Sequence, residues 1–91
     1  MAVEVRIPTI LRTYTGGAKA VSGAGSTLAE VVDDVDGRHP GLKARLVEGD
    51  DLRRFINVYV NDEDVRFTGG LGTPVDDGDQ VVVLPAVAGG A

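Results

Sequence analysis

The chain has 91 residues, 43% of them hydrophobic, with two Tyr, two Phe and no Trp; that is enough for one small core but offers little to enclose a cofactor-sized pocket. It has no Cys, which excludes disulfides, thiolate metal sites and a thiol nucleophile. Its formal net charge of −5 opposes binding to nucleic acid phosphates and anionic lipid, and with no membrane-length apolar run and no basic-then-apolar start the cytoplasm is the expected compartment.

In chain order, "VEVRI" (Val3 to Ile7) alternates, with Val3, Val5 and Ile7 on one face, and predicts a half-buried strand that Pro8 ends. Gly16-Gly17 predicts a turn and Lys19 to Ser22 a second short strand, giving an N-terminal hairpin. The period then changes. Leu28, Val31, Val32 and Val35 form one helical stripe, with Ser26 or Thr27 as cap, a Thr27–Glu30 capping box, and Gly37 placed to end the helix. Burying that stripe contributes about 6–10 kcal/mol gross, most of it offset by chain entropy. His39, the only histidine, precedes Pro40 in a polar stretch and is read as solvated surface, not a metal ligand.

"PGLKARLVEG" predicts a short second helix carrying Leu42 and Leu46 inward, and Glu48 to Asp51 a loop. The clearest strand follows. Ile56, Val58 and Val60 share its inner face, Phe55, Asn57 and Tyr59 its outer face; "NDED" makes a turn and "VRF" pairs back. The acidic turn lacks the Gly and distal Glu of a calcium loop, and no metal site is expected. Gly23-Ala24-Gly25 lacks the third glycine of a dinucleotide fingerprint, because position 28 is Leu28. "TGGLGTPVDDGD" predicts loop, and Gln80 to Val87 a continuous apolar strand at the centre of the sheet.

Hairpin, helix, helical turn, hairpin and last strand make an α+β chain in the ββαββ order of a ubiquitin-like β-grasp, a mixed sheet wrapped on one main helix. Residues 1–85 are expected to form that domain and 86–91 a flexible C-terminal tail. With no second helix to cover it, the outer sheet face around Phe55 and Tyr59 is the candidate partner-docking surface. The tail, Ala86-Val87-Ala88-Gly89-Gly90-Ala91, is narrow and poor in side chains. Such a segment can enter a tight channel in another protein and bring a backbone carboxylate close to ATP; the partner then supplies the catalytic electrostatics.

"DDGDQVVVLPAVAGG" (Asp76 to Gly90) resembles the C-terminal signature of the MoaD/ThiS-like sulfur carriers, and "IPTILRTYTGG" (Ile7 to Gly17) and "FINVYVNDEDVRFTGGL" (Phe55 to Leu71) extend the resemblance toward the carriers that serve cysteine biosynthesis. The resemblance implies a protein co-substrate with no catalytic residue or bound cofactor of its own. A MoeB-type adenylating and sulfurtransferase enzyme, using ATP and magnesium, activates the carboxylate of the matching Gly90 and converts it to a thiocarboxylate, with Val87, Ala88 and Gly89 inserted into the partner. A pyridoxal-phosphate (PLP) cysteine synthase, or another sulfur-accepting synthase such as one of secondary metabolism, takes the sulfur. A JAMM-type metalloprotease releases the product. Ala91 departs from the Gly-Gly ending, and its removal at the Gly90–Ala91 bond is expected before activation. A molybdopterin synthase small subunit, a ubiquitin-like protein modifier and an inert interaction domain remain as alternatives.

Overall fold

The computed structural model describes residues 2–85. Strand β1 (Val3–Arg6) pairs antiparallel with β2 (Ala20–Gly23), as the hairpin reading expects. The connection is longer than a turn at Gly16-Gly17. A 3-10 helix, Thr9–Thr15, follows Pro8 and ends at Gly16, burying Leu11 and Thr15. Its threonine is held locally, Oγ1 donating to the carbonyl of Ala18 at 2.9 Å. A segment of this kind has no helical or strand period long enough to be seen in sequence.

Helix α1 (Leu28–Arg38) buries Leu28, Val31, Val32 and Val35, the four residues of the expected stripe. Thr27 is its N-cap, Oγ1 accepting from the Glu30 amide at 3.3 Å, while the Glu30 carboxylate accepts from the amide of Ser26 at 2.7 Å instead of that of Thr27. Gly37 does not end the helix, which runs on to Arg38. The last turn is held by the Arg38 guanidinium, which donates to the Ser22 carbonyl and pairs with Asp34 at 2.8 Å. Termination falls to His39, non-helical at φ −131° and ψ 73°, because the proline after it disfavours the helical region. Helix α2 (Leu42–Leu46) buries Leu42 and Leu46 as expected.

The Glu48–Asp51 segment is a tight hairpin, not a loop: β3 (Val47–Glu48) pairs with β4 (Asp51–Leu52) around Gly49, whose φ of 65° suits the first turn position. Its acidic residues carry little strand propensity, which hid it. Strand β5 (Ile56–Val60) buries Ile56, Val58 and Val60. Asn61 and Asp62, at φ 49° and 73°, make the turn into β6 (Glu63–Asp64). "VRF" does not pair back. Asp64 caps a 3-10 turn over Val65–Phe67, Oδ1 accepting from the Arg66 amide at 2.9 Å, which buries Val65. A further 3-10 turn covers Gly70–Gly72.

Strand β7 (Gln80–Pro85) lies at the centre, in the sheet order β2-β1-β7-β5-β6, parallel to β1 and antiparallel to β5. This is the mixed sheet of a ubiquitin-like β-grasp. Helix α1 packs so closely on its inner face that a Cβ at Gly23 would lie 2.8 Å from Val31 Cγ1 and 2.9 Å from Val35 Cγ2. The space left between helix and sheet is about 10 Å³ and apolar, room for at most one water.

Candidate functional site

The outer face of the sheet follows from strand register. With Val81 and Val83 turned inward, β7 presents Gln80, Val82 and Leu84 outward. Val82 lies opposite Tyr59 of β5 on one side and Arg6 of β1 on the other, and Leu84 lies opposite Asn57. Tyr59 is half-buried among these neighbours, and Phe55, just ahead of β5, is exposed. Both therefore sit on the face opposite the Ile56, Val58 and Val60 core stripe.

Among the described residues the large exposed hydrophobics are Phe67 (85%), Ile10 (64%), Phe55 (56%) and Leu84 (46%). Leu84 could have been found by extending the alternation along the last strand. Ile10 and Phe67 could not, since both lie in 3-10 segments.

Phe55 sits in a segment held by two arginines: Arg53 Nε donates to the Ala44 carbonyl at 2.8 Å, and Arg66 makes the larger set of contacts. Arg66 Nη1 donates to Asn57 Oδ1 at 2.5 Å, and Nη2 donates to the Ile56 carbonyl at 2.6 Å, with longer contacts to the carbonyls of Arg54 (3.4 Å) and Arg53 (3.5 Å). The planar guanidinium suits this role because its donors fan out in a fixed fork. Arg66 thus clamps the approach to β5 against the 3-10 turn that carries it.

The far end of the sheet is acidic and ordered differently. Asn61 donates through Nδ2 to Asp79 Oδ1 at 3.0 Å and accepts at Oδ1 from the Gln80 amide at 3.0 Å. Asp79 Oδ2 accepts from the Asp76 amide at 2.8 Å. The hydrogen bond from Asn61, then that from Asp76, hold the Asp79 carboxyl below its ordinary range. These contacts complete a turn. Among the described residues no three His, Asp or Glu side chains converge to hold a metal ion, and no helix is long and apolar enough to cross a membrane.

The expected tail residues Val87, Ala88, Gly89, Gly90 and Ala91 lie outside the described residues. The structure does fix where they begin. Strand β7 ends at Pro85, opposite Ile56, at the same end of the sheet as Phe55 and Leu84.

The ThiS family model matches residues 5–90. The chain is 65% identical, at a TM-score of 0.93, to a chain in the crystal structure of the Amycolatopsis orientalis BexX/CysO complex, covering 97% of this chain and 99% of that one. It is 55% identical to the sulfur carrier protein CysO of Mycobacterium tuberculosis over 99% of this chain and all of that protein. It is also 37% identical to small archaeal modifier protein 3 of Haloferax volcanii, over 71% of each chain.

Proposed function

The chain belongs to the ThiS family, and we propose that it works as a sulfur carrier protein, a co-substrate of partner enzymes, whose reacting group is the carboxylate of Gly90. The observation that carries this reading is the family match, which extends from residue 5 to Gly90. Identity to CysO over the full chain favours a carrier serving cysteine biosynthesis.

In this reading residues 1–85 are the part that partners hold and 86–91 the part they receive. A MoeB-type enzyme binds ATP and magnesium. A Gly90 carboxylate oxygen attacks the α-phosphorus, and pyrophosphate leaves. Hydrosulfide then displaces AMP from the acyl carbon and loses its proton, giving the thiocarboxylate. Catalysis by the partner is proximity and charge stabilisation; the carrier adds an acyl group with no Cβ to crowd the attack. A PLP-dependent cysteine synthase, or another sulfur-accepting synthase, consumes the thiocarboxylate, and a JAMM-type metalloprotease frees the product. Any residue beyond Gly90 must be cleaved before Gly90 has a carboxylate to offer, and Ala91 occupies that place. Its removal is part of the proposal.

Intact mass spectrometry tests this. Protein incubated with the adenylating enzyme, ATP and a sulfur donor gains the mass of one oxygen-to-sulfur exchange, on a form lacking Ala91. Sulfur accepted by a form that retains Ala91 removes the processing step; sulfur delivery that persists with Gly90 blocked removes the whole reading. The likeness to an archaeal modifier supports a second reading, attachment of Gly90 to lysines, which a ladder of higher-mass conjugates in cells would distinguish.

A further inference from the structure

We propose that the chain docks through a basic collar at the base of its tail, and that the partner surface it recognises is a ring of carboxylates around the mouth of the channel that takes the tail. This rests on the carrier reading above and names what its partner must look like.

Five basic residues far apart in sequence meet at one end of the sheet. Arg6, Arg12 and Lys19 line a groove with Ile10, Leu84 and Pro85, and no carboxylate lines that groove. On the other side of β7, Arg54 and Arg66 line a second groove with Asn57, joined there by Asp51. Only one of the five, Arg6, has a carboxylate ion-pair partner among the described residues: Glu4 at 3.1 Å. Arg12 and Arg66 spend their donors on carbonyl and amide oxygens and not on a carboxylate. At the opposite end lie Asp62, Glu63, Asp76, Asp77 and Asp79, in turns with no basic residue. That end is fixed by the Glu4 amide donating to the Asp79 carbonyl and the Gly78 amide to the Ala2 carbonyl.

A chain of net charge −5 therefore turns a positive end toward whatever receives its tail. The collar cannot serve the nucleotide itself. Fully extended, the five residues from Ala86 to Gly90 span at most about 18 Å, and a channel that uses that reach keeps the collar at its outer mouth. Charge there acts on encounter and orientation, and a partner of like sign is turned away. The acidic far end opposes the reverse approach.

The test is ATP–pyrophosphate exchange by the adenylating enzyme of the source organism, with the chain processed to Gly90 as the varied substrate. Lys19→Glu with Arg54→Glu alters two exposed side chains that make no hydrogen bond or ion pair among the described residues. It raises the KM for the chain by about tenfold or more, with kcat and the melting temperature unchanged, and flattens the rise of KM with salt. Arg45→Glu, at an exposed position of α2 whose side chain makes no hydrogen bond or ion pair among the described residues, changes the net charge as much as Arg54→Glu alone and leaves KM alone. A rise in KM with Arg45→Glu equal to that with Arg54→Glu, or none from the Lys19 and Arg54 pair, overturns the collar. No exchange with the unaltered chain overturns the carrier reading and the collar together, whereas exchange that the Lys19 and Arg54 changes leave intact overturns the collar alone.

Discussion

Replacing Arg66 by methionine keeps an unbranched apolar stem and removes the guanidinium that clamps the Arg53–Asn57 segment. Two bonds dominate its effect, at 2.5 Å to Asn57 Oδ1 and 2.6 Å to the Ile56 carbonyl; those at 3.4 and 3.5 Å are too long to add much. A hydrogen bond to a charged donor is worth about 1.5–3 kcal/mol net when enclosed. Arg66 is exposed, and water can take over part of what it leaves, so the pair together contributes about 1–2 kcal/mol. For a domain of this size that corresponds to a fall in Tm of roughly 5–15 °C. Arg66→Lys recovers only part of it, because one ammonium cannot reproduce the fork. Thermal denaturation reads the total. Amide hydrogen exchange locates it: faster exchange is expected at Ile56, whose amide donates to the Arg53 carbonyl at 3.1 Å. A Met variant that melts with the wild type and exchanges no faster across 53–57 would show that the clamp holds nothing.

Gly23→Ala forces a methyl to within 2.8–2.9 Å of the Val31 and Val35 side chains and is expected to cost about 1–3 kcal/mol by pushing α1 off the sheet, read as a lower urea midpoint. Asp79→Asn tests the acidic turn. Because folding lowers this carboxyl, its stabilisation is full above the ordinary carboxylate range and is lost as pH falls through the lowered value; wild type and variant are expected to differ near pH 7 and to converge only in acid below that lowered value. Phe55→Ala, at an exposed position, is expected to weaken binding to the adenylating enzyme by about tenfold or more with little change in Tm. Tyr59→Ala adds a stability cost of about 1 kcal/mol from its half-buried contacts beside Val82; loss of folding in both variants would place them in the core instead.

The elements legible in the sequence are those with a period. The stripe of α1 repeats at helical spacing and the inner residues of β5 alternate, so both faces could be assigned residue by residue, and Phe55 and Tyr59 with them. The central place of β7 was legible from its unbroken apolar run, although only Val81 and Val83 are fully buried and Leu84 is turned out. What was hidden depends on hydrogen bonds that leave no pattern. The Arg38 contacts carry α1 past Gly37, and the Asp64 cap turns Val65–Phe67 into a 3-10 helix. The collar was hidden for a topological reason. Arg6, Arg12 and Lys19 precede the helix and Arg54 and Arg66 follow it; only the parallel pairing of β1 with β7 and the antiparallel pairing of β5 bring them to one end.

The same topology divides the work between face and tail. A strand at a sheet edge has one neighbour to set its direction; β7 has β1 beside it from Gln80 to Val82 and β5 beside it from Val81 to Pro85, its last residue. A partner that grips the apolar face and the collar thereby fixes where residue 86 starts. From there Gly90 is confined within about 18 Å, an effective concentration on the order of tens of millimolar at the channel mouth without any affinity of the tail itself. The tail offers little to bind in any case, since Ala86-Val87-Ala88-Gly89-Gly90 has one side chain larger than methyl. A free peptide of residues 86–90 is therefore expected to be adenylated with a KM at least about a hundredfold above that of the processed chain, the ratio that tethering supplies, while kcat changes far less. A peptide KM close to that of the chain would mean that recognition lies in the last five residues and that the folded face is dispensable.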